Sequence, residues 1–118
     1  MKMIKLDAID STNSYLKRLL TKDSLDDLTV VVSKHQTKGK GRNGNIWENE
    51  ASLNLAFSIY KKFNNLDVKD KFMLNVISSL SVFQLLKENN LNKLTIKWPN
   101  DIMTGKEKIS GILVENSV

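Results

Sequence analysis

Residues 39–44 form a glycine-rich basic segment whose composition suits the binding of an anion. The segment reads Gly39-Lys40-Gly41-Arg42-Asn43-Gly44 and holds three of the five glycines, and no acidic residue occurs from Leu28 to Trp47. Several backbone N–H groups could therefore point at one anion while neighbouring cations neutralise it. Arg42 can make two parallel hydrogen bonds to a phosphate, whereas Lys40 acts as a point charge. The segment predicts a phosphate-binding loop, with a basic surface hairpin as the alternative.

The same glycines satisfy the pattern G-x-G-x-x-G, which in dinucleotide-binding folds opens a helix that receives a pyrophosphate. Here the chain after Gly44 runs through Trp47 into alternating apolar and polar residues, which are typical of a strand. Asn45 and Ile46 stand where a Walker loop requires lysine and serine or threonine. Both nucleotide motifs are therefore excluded. Trp47 offers an aromatic face suited to adenine, although a tryptophan more often belongs to the core.

A second polar group lies at residues 97–101, which read Lys97-Trp98-Pro99-Asn100-Asp101. A carboxylate beside an amide at the end of a strand can hold Mg²⁺, which prefers oxygen ligands. An ordinary Asn-Asp turn is the alternative interpretation. Seven residues after Asp101, Lys108 enters a further predicted strand, in which Gly111 would let a ligand approach the backbone.

The elements that must position these groups follow from the spacing of apolar residues. Alternation predicts strands over residues 4–9 and 52–60, and the β-branched run at 29–32 predicts a strand buried on both faces. Helical spacing predicts a helix capped by residues 10–13 and a second helix from Asp70 to about Asn89. Further strands are predicted at 94–98 and 109–115, with a turn near residues 104–106. We therefore expect one α+β domain over residues 1–118, with a mixed, largely antiparallel sheet and helices packed on one face.

Composition narrows the class of protein further. The 118 residues are 41% hydrophobic and carry a net charge of +5, which favours an anionic partner. The absence of cysteine excludes disulfides, thiolate metal sites and a cysteine nucleophile, and the lone His35 argues against a histidine metal site. No apolar run approaches the roughly 20 residues that a membrane span needs, and no signal peptide is visible. The sequence predicts a cytoplasmic protein without a membrane partner.

Taken in order, the motifs resemble the catalytic domain of biotin protein ligases, a class II synthetase-like fold. The resemblance runs from Asp10 nearly to Val118 and rests on these segments: Ser11-Thr12-Asn13, Gln36, residues 39–44 with Trp47, Ser52-Leu53-Asn54-Leu55, residues 97–101, and Lys108-Ile109-Ser110-Gly111-Ile112-Leu113-Val114-Glu115. It implies biotin–[acetyl-CoA-carboxylase] ligase activity. ATP and biotin would give biotinyl-5′-AMP and pyrophosphate, and the biotinyl group would then pass to a lysine of a biotin carrier domain.

The resemblance also implies roles for individual residues. The catalytic residues would be Lys108, Arg42 and Lys40. Biotin would contact Ser11, Thr12, Asn13, Gln36, Gly39, Lys40, Gly41, Lys108, Gly111 and Leu113. ATP and the adenylate would contact Arg42, Trp47, Asn54, Lys97, Asn100 and Asp101. The ligands of Mg²⁺ would be Asp101 and Asn54.

The sequence departs from the family pattern in two ways. Lys40 and Asn45 stand where the family usually has arginine, which predicts weaker retention of the adenylate. The family's later catalytic segments and its N-terminal helix-turn-helix domain are not found in the sequence. We therefore expect a truncated catalytic domain with weak or absent activity by itself, no DNA binding, and an unpaired sheet edge that could promote a homodimer.

Two other functions stay open from the sequence. One is a lipoate-protein ligase-like activity, since lipoate ligases resemble biotin ligases in fold. The other is a small basic nucleic-acid-binding module, although aromatic residues are only 7% of the chain and leave few platforms for base stacking.

Overall fold

The computed structural model describes residues 1–67 and 69–116. These residues divide into two compact units, Met1–Asn64 and Asn65–Asn116. The elements of the first unit are β1 (Lys2–Ile9), α1 (Thr12–Lys22), β2 (Thr29–Gln36), β3 (Gly39–Lys40), β4 (Ile46–Trp47) and β5 (Ala56–Tyr60). Those of the second are α2 (Asp70–Glu88), β6 (Leu94–Lys97), β7 (Asp101–Thr104) and β8 (Glu107–Gly111). The predicted α+β class is confirmed, whereas one catalytic domain over residues 1–118 stays a prediction.

The N-terminal unit is a three-stranded sheet in the order β1-β2-β5, on which α1 packs. β1 and β2 are parallel, and β2 and β5 are antiparallel. The central strand begins with the buried residues Thr29, Val30 and Val31, as the β-branched run predicts. Helix α1 starts where its cap was expected, because Ser11 Oγ accepts the Ser14 N–H at 3.0 Å.

Strand β5 differs from its prediction in length and in the face that it buries. It begins at Ala56 rather than residue 52, because Ser52 has a positive φ of 64° within a preceding turn. The expected alternation is present, but Ser58 is 8% exposed whereas Phe57 and Ile59 are 46% and 53% exposed. The polar side of this strand is therefore the buried side.

The C-terminal unit is an antiparallel sheet in the order β6-β7-β8, with α2 packed on β6 and β7. Ile102 on β7 is fully buried, and Ser79 of α2 donates a hydrogen bond to the Pro99 carbonyl at 2.5 Å. The expected turn between β7 and β8 contains Gly105 with a φ of +59°, a conformation that favours glycine. Because this turn is tight, β8 starts at Glu107, and the prediction of a strand at 109–115 is wrong in its bounds.

None of the helices in the described ranges is long and apolar enough to cross a membrane.

Candidate active site

The start of α1 and the end of β2 meet through a hydrogen-bonded pair from two different motifs. The Gln36 side-chain oxygen Oε1 accepts the Thr12 N–H at 2.8 Å and lies 3.1 Å from Thr12 Oγ1. Both residues were predicted to bind biotin, and they are 24 positions apart in the sequence. The fold therefore brings them together as the resemblance implies. Ser11 is 2% exposed beside them, and its hydroxyl is used to cap α1.

Two further side chains extend this cluster. Thr12 Oγ1 lies 2.6 Å from the Ser58 hydroxyl oxygen, and Ser58 in turn donates a short hydrogen bond to Asn13 Oδ1. Thr12 and Ser58 are buried, whereas Asn13 and Gln36 are partly exposed. We call Thr12, Asn13, Gln36 and Ser58 the polar cluster. Its two amides are thus the members that solvent or a ligand can reach.

The glycine-rich segment is a hairpin rather than the start of a helix. Gly39 pairs with Trp47 and Lys40 with Ile46, and the Gly41 N–H donates to the Asn45 carbonyl at 2.7 Å. The chain reverses between them through a tight turn with a φ of +76° at Gly44. This geometry agrees with the exclusion of a dinucleotide-binding motif.

Gly39 lies where no larger residue fits. A Cβ atom at this position would lie 2.4 Å from the Trp47 carbonyl oxygen and 3.2 Å from the amide nitrogen Nε2 of Gln36. The glycine therefore allows the hairpin to approach the polar cluster closely. Gln36 Nε2 is the amide donor that borders the glycine loop.

The cations of the hairpin are accessible. Lys40 and Arg42 are both exposed. Within residues 1–67 and 69–116, neither forms an ion pair with an acidic side chain. Trp47 is partly buried on the opposite hairpin strand. The positive charge is available to an anionic ligand, as the phosphate-binding prediction requires.

Asp10 fixes the polar cluster and the hairpin to the same end of the sheet. Its backbone oxygen accepts the Lys38 N–H at 2.8 Å, while Oδ1 accepts the Ser11 N–H at 2.8 Å. Arg18 donates two hydrogen bonds to the carboxylate, at 2.8 and 2.9 Å. These bonds, with that from Ser11, lower the pKa of Asp10 to about 2. The carboxylate is therefore ionised at neutral pH.

In the C-terminal unit, Lys108 and Asp101 form an ion pair with 2.9 Å between Nζ and Oδ1. Asp101 is opposite Gly111 and Met103 is opposite Lys108, because a β-bulge places Ile109 as an extra residue in β8. The turn sets Thr104 opposite Glu107 and hence Lys108 opposite Met103, which lies two residues from Asp101 on the same face of the sheet. The bulge then sets Gly111, rather than Ser110, opposite Asp101.

The other predicted site residues of this unit are close to Asp101 or Lys108 in the sequence. Asn100 Nδ2 donates to the Ile112 carbonyl at 2.9 Å, and the Ile112 N–H donates to the Asn100 carbonyl at 2.9 Å. This double contact fixes the backbone next to Gly111. Lys97 is exposed and lies opposite Asp101 in the register, whereas Leu113 is partly buried.

The two predicted magnesium ligands already have partners. Asn54 Oδ1 accepts the Glu50 N–H at 2.8 Å in an exposed turn, and Asp101 Oδ1 pairs with Lys108. Residues 1–67 and 69–116 contain no group of three His, Cys, Asp or Glu side chains able to hold a metal. These residues do not fit a dedicated magnesium site, and their metal role stays a prediction.

Sequence reasoning did not select Ser58, Asn49 or Asp10 as site residues. Asn49 accepts the Gln36 N–H at 3.2 Å and donates to the Gln36 carbonyl at 3.1 Å, which fixes the end of β2. The sequence does contain one indication of a role for Ser58, which is a hydroxyl side chain between the apolar residues Phe57 and Ile59.

Comparison with known proteins places the chain in a family. Residues 6–117 match the biotin/lipoate A/B protein ligase family, so the chain belongs to this family. Among curated relatives, the bifunctional ligase/repressor BirA of Salmonella typhimurium is 31% identical over 110 residues. That alignment covers 93% of this chain and 33% of the relative. The chain thus spans about a third of the length of that protein.

Solved structures show the same similarity. The biotin protein ligase from Aquifex aeolicus in complex with biotin and ATP is 33% identical, with a TM-score of 0.79 over 98% of this chain and 47% of that chain. Biotin acetyl coenzyme A carboxylase synthetase from Helicobacter pylori with bound biotinylated ATP is 28% identical, with a TM-score of 0.75 over 98% and 55%. The α+β fold is therefore that of biotin protein ligase catalytic domains.

Proposed function

We propose that this chain takes part in the ATP-dependent activation of biotin to biotinyl-5′-AMP and in the transfer of the biotinyl group to a carrier lysine. The observation that carries the proposal is the Thr12–Gln36 contact beside Gly39. It joins three motifs of the ligase resemblance at one place, next to a loop with available positive charge. The ligands named for the Aquifex and Helicobacter structures support the same substrates.

The N-terminal unit would bind the biotin head group and the adenylate. The ureido ring of biotin offers a carbonyl oxygen and two N–H groups, which suit the amides of Asn13 and Gln36. Lys40 and Arg42 would offset the charge of the adenylate phosphate, and the hairpin N–H groups would donate to it. Trp47 would pack on adenine.

The C-terminal unit would supply a positioned cation. Joining a carboxylate to a phosphate brings two anions together, so a fixed positive charge favours the transition state. Lys108 would contact both groups, and its pairing with Asp101 holds the ammonium in one place before the substrates arrive. Gly111 and Leu113 would line the biotin site, while Lys97 and Asn100 would face the nucleotide. Mg²⁺ would arrive with ATP, bound to its phosphate oxygens.

The partner in the second step would be a biotin carboxyl carrier domain, whose lysine attacks the adenylate. We propose that ligation by the 118 residues alone is weak or absent, since they span about half of the solved ligase chains. A cytoplasmic location, a homodimer formed through an open sheet edge, and the absence of DNA binding belong to the same proposal.

The experiment is exchange of labelled pyrophosphate into ATP, measured with biotin, with lipoate and without either acid. Biotin-dependent exchange that falls in Arg42→Ala and Lys108→Ala supports the proposal. The matched control is Lys17→Ala, which removes a cation from α1 outside the proposed site. Lipoate-dependent exchange would favour lipoate activation, and salt-sensitive oligonucleotide binding without exchange would favour a nucleic-acid-binding module. If exchange is weak, direct titration of biotin into the chain measures whether biotin binds.

A further inference from the structure

Ser58 lies outside every sequence motif of the site, yet it connects two of the motif residues. Its hydroxyl lies 2.6 Å from Thr12 Oγ1 and donates to Asn13 Oδ1, and its residue is 8% exposed. A buried hydroxyl with two polar contacts has a fixed orientation. Ser58 is therefore placed to determine how its neighbours present their hydrogen-bonding groups.

The protons that these side chains carry determine which group donates in each contact. Each hydroxyl has one proton, and the side-chain oxygen of Asn13 can only accept. Ser58 therefore donates its proton to Asn13, and its oxygen is left to accept from Thr12 Oγ1 at 2.6 Å, while the Thr12 hydroxyl also donates to Gln36 Oε1 at 3.1 Å. Gln36 Oε1 is then held by the Thr12 N–H at 2.8 Å.

These hydrogen bonds orient the two amides in the same way. The oxygens of Asn13 and Gln36 are turned toward buried donors, so their NH₂ groups are turned away from those donors. Gln36 Nε2 lies beside Gly39, at the border of the glycine loop. At this border the polar cluster thus offers an N–H donor, which requires an acceptor oxygen on the ligand.

We infer that Ser58 is a positioning residue that selects a ligand head group with a carbonyl oxygen, by holding the Asn13 oxygen inward. The inference rests on the proposed function, in which that head group is the ureido ring of biotin. Without the Ser58 hydroxyl, the Thr12 hydroxyl keeps only its hydrogen bond to Gln36 Oε1 at 3.1 Å. The Asn13 side-chain oxygen then loses its buried donor.

This arrangement predicts discrimination between close analogues. 2-Iminobiotin has a nitrogen in place of the ureido oxygen and presents N–H where biotin presents an acceptor. Donor would then face donor, and a site built for one hydrogen-bonding pattern rejects a ligand that leaves its groups unpaired. Selection between the two ligands therefore reports the orientation of the amides.

The test is calorimetric titration of the chain with biotin and with 2-iminobiotin. We expect Ser58→Ala to bind biotin about tenfold more weakly and to discriminate less between the ligands, as loss of one buried hydrogen bond predicts. Ser58→Thr keeps the hydroxyl and should restore the wild-type ratio. The control is Ser33→Ala, because Ser33 is 1% exposed on β2 and donates to the His35 carbonyl instead. The ratio of the affinities of Ser33→Ala for biotin and for 2-iminobiotin should not change.

The outcomes separate the two proposals. If the wild-type chain binds no biotin, both the proposed function and the inference are overturned. If the wild type binds biotin but Ser58→Ala leaves the ratio of the two affinities unchanged, only the inference fails, because Ser58 would then be merely structural. If Ser58→Ala does not fold, Asn13→Asp provides the test. It keeps an oxygen toward Ser58 and replaces the NH₂, and it must shift the ratio toward 2-iminobiotin.

Discussion

Replacing Gly39 with alanine tests how closely the glycine hairpin must approach the polar cluster. The new Cβ would lie 2.4 Å from the Trp47 carbonyl oxygen, whereas ordinary contact begins at 3.4 Å. The paired backbones of β3 and β4 must therefore separate by about 1 Å, and overpacking of this kind costs roughly 1–3 kcal/mol. Since each strand has two residues, we expect the hairpin to open while the three-stranded sheet stays folded.

The opening should appear as a loss of ligand affinity. A cost of about 1–3 kcal/mol corresponds to roughly 5- to 150-fold weaker binding if the ligand must close the hairpin again. Calorimetric titration with biotin and with biotinyl-5′-AMP measures the affinity. Fluorescence of Trp47 in a Trp98→Phe background reports the hairpin, because the chain has two tryptophans.

The control for this prediction is Gly105→Ala in the turn between β7 and β8. A Cβ there meets nothing within 4 Å, and the positive φ alone strains the substitution. We expect this variant to lose some stability and to keep its ligand affinity. The steric reasoning is refuted if Gly39→Ala binds both ligands within twofold of the wild type with unchanged Trp47 emission.

Three further predictions concern charge and register. Lys40→Arg should slow the escape of biotinyl-5′-AMP, because a guanidinium can make paired hydrogen bonds to phosphate; an unchanged dissociation rate would reject this. Arg18→Gln should lower stability near neutral pH. Because the folded pKa of Asp10 is about 2, below its ordinary 3.8, the difference from wild type should shrink as pH falls from about 4 to 2 in acid-unfolding curves. Inserting one residue between Ile102 and Met103, opposite Ile109, should place Lys108 on the other sheet face from Asp101 and abolish biotin-dependent pyrophosphate exchange, and wild-type exchange would contradict the assigned register.

Local signals in the sequence predicted the elements whose causes are local. Ser11 caps α1 because a short hydroxyl side chain accepts a helix N–H, whatever the rest of the chain does. The β-branched run at Thr29–Val31 forms a buried strand for a similarly local reason. The glycines of residues 39–44 predicted a special backbone, and the absence of a following helix excluded the dinucleotide motif.

The buried face of β5 could not be predicted in the same way. Its alternation defines two faces, and hydrophobicity alone assigns Phe57 and Ile59 to the interior. The structure buries Ser58 instead, because Thr12 and Asn13 at the start of α1 satisfy its hydroxyl. These partners are 46 and 45 residues away in the sequence, so no local pattern could identify them.

The position of Lys108 shows how a contact in the candidate site depends on register as well as on motif spacing. The motif places a lysine seven residues after Asp101, and the turn that sets Thr104 opposite Glu107 puts Lys108 opposite Met103, on the sheet face of Asp101. This register allows the 2.9 Å ion pair. One residue more or fewer between the turn and either charged group would put the two groups on opposite faces. The length of the segment from Asp101 to Lys108 is therefore under the same physical constraint as the identities of its two charged ends.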